Sequence, residues 1–179
     1  PDVVAPGGNV LSSIPGNQWA FYSGTSMSSP HLAGMAAVVK GQHPTWTAAE
    51  IRSAIVNTAN AAAVKNSADP LLIGNGAADL TTAVNAKVAL DPVSTSFGAV
   101  PVMNGHTWTK TIALKWLSGS GTPTVSVSGG SGFAAAYANG TITVTFTPRA
   151  GVYGPQSAKL SVSSGSTVIA TSTLFAWGK

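Results

Sequence analysis

The chain has 179 residues, 44% of them apolar and only 8% charged, well below the usual quarter, so Ser, Thr, Ala and Gly must cover much of the surface. The net charge of +4 comes from a scarcity of acids; the Lys and Arg residues are scattered, with no aromatic-interleaved basic stripe, which argues against nucleic-acid binding. The absence of Cys excludes disulfides and thiolate metal sites, and no apolar run approaches the roughly 20 residues of a membrane span.

Asp2 to Ala5 reads as a short buried strand, closed by Pro6-Gly7-Gly8. The opening segment has no initiator Met and reads as the interior of a longer protein, so the lack of a leader says nothing about export. Val10 to Ile14 and Trp19 to Tyr22 are short strand-like runs around Pro15-Gly16-Asn17, which predicts a hairpin. From Ser26 the spacing becomes helical, with Leu32, Met35, Ala36 and Val39 on one face and Ala33, Ala37 and Val38 opposite. A helix apolar all round is expected to be buried. Pro30 is read as lying in the first turn, where the missing amide costs little. Gly34 fits either tolerance or the close approach of another helix. His43-Pro44 ends the helix, and Thr47-Ala48-Ala49-Glu50 is a capping box for the next, with Ile51, Ala54, Ile55 and Thr58 on one face. Ala59 to Asp69 reads as a loop or frayed end. Asn75-Gly76 marks a turn, and Asp79 is the expected N-cap of a helix to about Val88.

At Leu90-Asp91-Pro92 the period changes to two. Trp108, Lys110, Ile112, Leu114 and Trp116 share one strand face, and Thr141 to Thr147 alternates strictly behind the hairpin signal Asn139-Gly140. Ala158, Leu160 and Val162 continue the pattern, and Ser164-Gly165-Ser166 turns into Val168 to Phe175. Short strands with Gly-rich turns predict a β-sandwich, with the domain boundary near residue 91. Trp108, Trp116 and Trp177 suit either a carbohydrate platform or, more commonly, a sandwich core.

The chemistry centres on Gly24-Thr25-Ser26 at the start of the apolar helix. A serine hydroxyl is a weak nucleophile until a base takes its proton. The free amides and dipole of a helix start stabilise negative charge growing on a carbonyl oxygen. On local physics alone, Thr25 or Ser26 serving as an N-cap is the commoner role.

The run Gly24-Thr25-Ser26-Met27-Ser28-Ser29-Pro30-His31-Leu32-Ala33-Gly34 closely resembles the active-site serine motif of the subtilisin-like serine proteases, the subtilases. Pro1-Asp2-Val3-Val4-Ala5-Pro6-Gly7 is similar to the family segment before that motif. His43-Pro44-Thr45-Trp46-Thr47 is similar to the segment after it, and Gly74-Asn75-Gly76-Ala77-Ala78-Asp79-Leu80 to the end of the catalytic domain. Ser28 stands where the family often has Ala. The resemblance implies an α/β fold over residues 1–90, part of a three-layer subtilisin-like domain. It implies Ser26 as nucleophile with its own amide in the oxyanion hole, and Gly24, Thr25, Met27 and Pro30 as motif support. It also implies Tyr22 and Ser23 on the leaving-group side of a cleft for a protein or peptide substrate. In this family the order is Asp, His, Ser. No His precedes Ser26 here, and Asp2 belongs to the Pro-Asp-Val segment, not to the triad. The base, the orienting acid and the oxyanion Asn are therefore expected in a missing N-terminal part of the catalytic domain, and the isolated chain is expected to be inactive.

His31 belongs to the serine motif, where the resemblance gives it a packing role. His43 reads as a helix-end residue favoured by the dipole, and His106 as exposed in a turn. Asp69, Asp79 and Asp91 are loop and cap acids. No cofactor is expected here; calcium is a possibility for the intact protein alone, outside this segment. Residues 91–179 resemble the fibronectin-III-like sandwiches that follow large subtilases, with Asp91-Pro92-Val93-Ser94-Thr95-Ser96-Phe97-Gly98 as the opening. The expectation is a secreted or cell-surface bacterial serine endopeptidase; the alternative is a non-catalytic fragment or inactive homologue acting as a binding or structural module.

Overall fold

The computed structural model describes residues 1–103 and 105–179. Val10–Ile14 (β1) and Gln18–Tyr22 (β2) form the expected antiparallel hairpin, Val10 opposite Tyr22 and Ile14 opposite Gln18. Its turn needs φ of +84° at Gly16 and +57° at Asn17, conformations that Gly and Asn accept. Asp2 to Ala5 is not a strand. Val4 makes one parallel bridge to Ala77, and the segment's backbone bonds run to Asn75, Gly76 and Ala78, too few for a ladder. The chain passes so close here that a Cβ on Gly74 would lie 2.4 Å from the Asp2 carbonyl oxygen, and one on Gly76 2.3 Å from the Ala61 amide.

The helices are Thr25–Gln42 (α1), Ala48–Asn57 (α2), Pro70–Ile73 (α3) and Leu80–Val84 (α4). The capping box of α2 is present: Glu50 N donates to Thr47 Oγ1 at 3.3 Å and Thr47 N to Glu50 Oε2 at 2.7 Å. Asp79 caps α4 through Thr81 N and Thr82 N, but α4 stops at Val84 instead of reaching Val88. The short α3 was not expected; Asp69 caps it and Pro70 opens it, a helix start too brief to show a period.

The all-round apolar surface of α1 predicts burial, yet Val39 is its one buried residue. Leu32, Met35 and Ala36 are partly buried against the same core as Val39, but Ala33, Ala37 and Val38 on the opposite side are exposed, and the space around Gly34 is open within 4 Å, so no helix approaches there. The buried helix is α2. Its Ile51, Ala54 and Ile55 form a core with Val39, Trp46, Ala83 and Ala86. His43 does close α1, but its ring turns to α4, stacking on Trp46 at 3.7 Å and donating from Nε2 to the Val84 carbonyl at 2.7 Å.

The second part is a sandwich of Val88–Asp91 (β3), Thr95–Val100 (β4), Trp108–Trp116 (β5), Thr124–Ser128 (β6), Phe133–Ala138 (β7), Thr141–Phe146 (β8), Gly154–Ser164 (β9) and Thr167–Gly178 (β10). The sheets run β3-β5-β8-β7 and β4-β10-β9-β6. That strand order is of the immunoglobulin kind, and it does not single out the fibronectin-III variant. The alternating residues meet in one core: Leu90, Ile112, Ile142, Val144, Leu160 and Val162 are all essentially inaccessible. The Asn139-Gly140 turn joins Ala138 to its partner Thr141 with φ of +49° and +80°. The tryptophans form no platform. Trp108 and Trp116 are half-buried at opposite ends of β5, with Trp116 Nε1 donating to the Gly121 carbonyl at 3.2 Å, while Trp177 is exposed on the other sheet.

α2 also joins the two parts. β3 is the edge strand of its sheet, and α2 covers that edge: Leu90 N donates to Ser53 Oγ at 2.7 Å. Ser53 Oγ donates to Asn57 Oδ1 at 2.8 Å, and Asn57 Nδ2 donates to the carbonyls of Val93 at 2.7 Å and Thr171 at 2.8 Å. Ser53 and Asn57 are buried, so these bonds are shielded from water. Two ionic ties flank them. Asp2 accepts from Ser94 Oγ at 2.7 Å and from Arg52 at 2.8 Å, and Lys115 of β5 pairs with Glu50 of α2.

Burial works against the charge on Asp2, but hydrogen bonds from Ser94 and Arg52 outweigh it and hold the carboxyl below its ordinary value. Hydrogen bonds from Lys115 and the Thr47 amide hold Glu50 low in the same way. A depressed carboxylate pKa adds stability above the unfolded-state value, and that stability is lost as pH falls through the folded-state value. Urea midpoints taken from about pH 7 down to about pH 3 are therefore expected to fall, and to fall less steeply in the Asp2→Asn/Glu50→Gln double variant.

Candidate active site

Ser26 is the second residue of α1, exposed to solvent. The N-cap is Gly24, at φ +150° and without a side-chain cap bond, so neither Thr25 nor Ser26 has the capping role that local physics favoured. Among the described residues, no hydrogen bond engages Ser26 Oγ. The Gly24 carbonyl accepts from Met27 N at 3.0 Å and Ser28 N at 3.4 Å, while the amides of Thr25 and Ser26 precede any intrahelical acceptor. A free hydroxyl thus sits beside free amides at the positive end of an 18-residue helix.

Pro30 is not in the first turn. It is the sixth helical residue, so its missing amide leaves the Ser26 carbonyl without its usual acceptor bond. His31 is exposed, and its Nδ1 donates to the Met27 carbonyl at 2.8 Å. A carbonyl only accepts, so Nδ1 carries the proton in this arrangement. No His or carboxylate among the described residues hydrogen-bonds Ser26. Tyr22 ends β2 and is 51% exposed.

The serine turn is held from one side by residues 5–9. Gly24 N donates to the Gly7 carbonyl at 2.7 Å, and Ser28 Oγ to the Ala5 carbonyl at 3.1 Å. Asn9, at φ +49°, donates from its amide to Ser23 Oγ at 2.9 Å, and Ser23 Oγ reaches back to Asn9 Oδ1 at 3.5 Å. The Ser23 hydroxyl is thereby engaged within the chain. In the sequence Pro6-Gly7-Gly8 reads as a strand stop and Ser28 as a mild departure from the motif; no local pattern marks contacts made across some twenty residues.

A groove of about 850 Å³ lies between α1, α2 and the opening segment, with an apolar lining that includes Val3, Leu32, Ala33, Ala36, Ile51 and Ile55. Hairpin residues Leu11, Trp19 and Phe21 are also exposed, at 51%, 68% and 65%. Among the described residues, no group of three or more His, Cys, Asp or Glu is placed to hold a metal ion, and no helix is long and apolar enough to cross a membrane.

A hydroxyl and free amides at a helix start belong to the class of sites that suit acyl transfer. Residues 1–76, which contain this site, match the subtilase family. Alkaline elastase YaB from Bacillus sp. (strain YaB) is 52% identical over 58 residues, covering 32% of this chain and 15% of that protein. Subtilisin from Bacillus pumilus is 48% identical over 58 residues, covering 32% and 21%. M-protease from Shouchella clausii (strain KSM-K16) is 52% identical over 58 residues, covering 32% and 15%. The chain thus spans 15% to 21% of the length of these curated relatives. The sandwich lies outside the family match.

Proposed function

We propose that Ser26 is the acyl-forming nucleophile of a subtilisin-type serine endopeptidase. The observation carrying this reading is the unbonded, exposed Ser26 hydroxyl at the start of α1, inside a segment that matches the subtilase family. In this reading the Ser26 amide donates to the oxyanion and Gly24, Thr25, Met27 and Pro30 support the turn. Tyr22 contacts the leaving-group side of a protein or peptide substrate. Ser23 contributes there through its backbone, its hydroxyl being taken by Asn9. The base, the orienting acid and the oxyanion Asn come from sequence outside these 179 residues, and the apolar groove over α1 and α2 receives that part. The parent enzyme is secreted or cell-surface and bacterial. The sandwich, immunoglobulin-like or fibronectin-III-like, is a structural module packed against the catalytic part.

A fluorophosphonate probe tests the reading. The chain alone is expected to label at Ser26 orders of magnitude more slowly than the parent polypeptide, because removing triad members has effects of that size. Equal rates would overturn the claim that the site is incomplete. A parent gene without upstream Asp and His motifs of the family would leave the alternative, an inactive homologue in a binding or structural role.

A further inference from the structure

We propose that Ser28 is a positioning residue for Ser26, acting through a clasp that fixes the first turn of α1 against Ala5–Gly7. This rests on the catalytic reading of Ser26. Two bonds make the clasp, Ser28 Oγ to the Ala5 carbonyl at 3.1 Å and Gly24 N to the Gly7 carbonyl at 2.7 Å. They bracket Ser26 two residues to either side. The bond from Ser28 is side chain to backbone across 23 residues and partly buried, so it ties the helix start to a distant segment and not to itself. The approach is close enough to dictate sequence on the far side: a Cβ on Gly7 would lie 2.2 Å from Ser28 Oγ and 2.9 Å from the Gly24 carbonyl oxygen. An alanine at position 28 leaves the Ala5 carbonyl without this donor and the Gly24–Ser26 turn held by one bond instead of two. Preorganised amides act through fixed direction, so a looser turn weakens stabilisation of the transition state more than substrate binding.

The test uses the parent polypeptide with Ser28→Ala and Ser28→Thr. With alanine, kcat and the fluorophosphonate labelling rate are expected to fall about three- to tenfold with KM little changed, the scale of one lost hydrogen bond. Hydrogen exchange at the Gly24 amide is expected to quicken while that of α2 stays as it was. Threonine keeps the hydroxyl and is expected to restore both. Gly7→Ala is expected to do less harm in the Ser28→Ala background than alone, since the nearest clash is gone. Wild-type rate and Gly24 exchange in Ser28→Ala, or a threonine variant as slow as alanine, would overturn the proposal. A wild-type parent that does not label at all defeats the catalytic reading instead, and exchange at Gly24 then still decides whether the clasp exists.

Discussion

Replacing Asn57 by leucine is expected to destabilise the chain by about 2 to 6 kcal/mol, two buried polar groups being left without this partner at about 1–3 kcal/mol each. Asn57 is 1% exposed and satisfies groups from three directions: the Ser53 hydroxyl and the carbonyls of Val93 and Thr171. Leucine has similar volume, so the shape is kept; the Val93 carbonyl retains its bond from Ser172 Oγ at 2.9 Å, whereas the Ser53 hydroxyl loses its acceptor and the Thr171 carbonyl loses this donor. Each buried group left without a partner costs about 1–3 kcal/mol. Because Val93 and Thr171 belong to the sandwich side and Ser53 to α2, the loss falls on the joint between the two parts. Urea unfolding followed by tryptophan fluorescence and far-UV CD measures it. The wild-type chain is expected to unfold in one transition by both probes, and the variant in two. An Asn57→Leu variant within about 0.5 kcal/mol of wild type, the scatter of an ordinary surface change, would show that the network contributes little.

Cutting the chain at either side of β3 is expected to give opposite results. A fragment of residues 87–179 keeps β3 and should melt cooperatively, whereas 92–179 loses Val88 and Leu90, each 1% exposed in the sandwich core. Burying an aliphatic side chain of this size is worth about 1.5–3 kcal/mol, so losing the two is expected to make the shorter fragment less stable by about 3–6 kcal/mol. The complementary fragment 1–86 keeps the open groove beside α1 and also uncovers the α2 surface that faces β3. It is expected to bind hydrophobic dyes and to aggregate. Calorimetry and dye fluorescence on the three fragments check both statements. A sharp melt for 1–86 alone would contradict this account.

Some features are written locally and were legible. Thr47 and Glu50 specify the start of α2 within a single turn. Pro15-Gly16-Asn17 specifies its hairpin because few residues accept positive φ. Strict alternation from Thr141 to Phe146 fixes which side chains face the sandwich core. The Gly24-Thr25-Ser26 turn was legible too, because Gly24 alone accommodates its backbone angle and the helix after it is strongly marked.

Tertiary structure decided what depends on distant chain. Composition made α1 the buried helix, but burial requires a surface to pack against. That surface is present for α2 and absent from most of α1. Asp2 to Ala5 has the residues of a strand and lacks the neighbouring backbone that would make it one. Ser28 differs from alanine by one oxygen, and only the fold brings that oxygen to Ala5. Asn57 looks like any helix-end amide until Val93 and Thr171 are placed around it. The sequence by itself determined where each element starts and the chemical character of the serine turn, since those follow from backbone angles and spacing within a few residues. The tertiary structure determined which polar groups are shielded from water and which face of each element is covered, since those depend on contacts that no local period encodes.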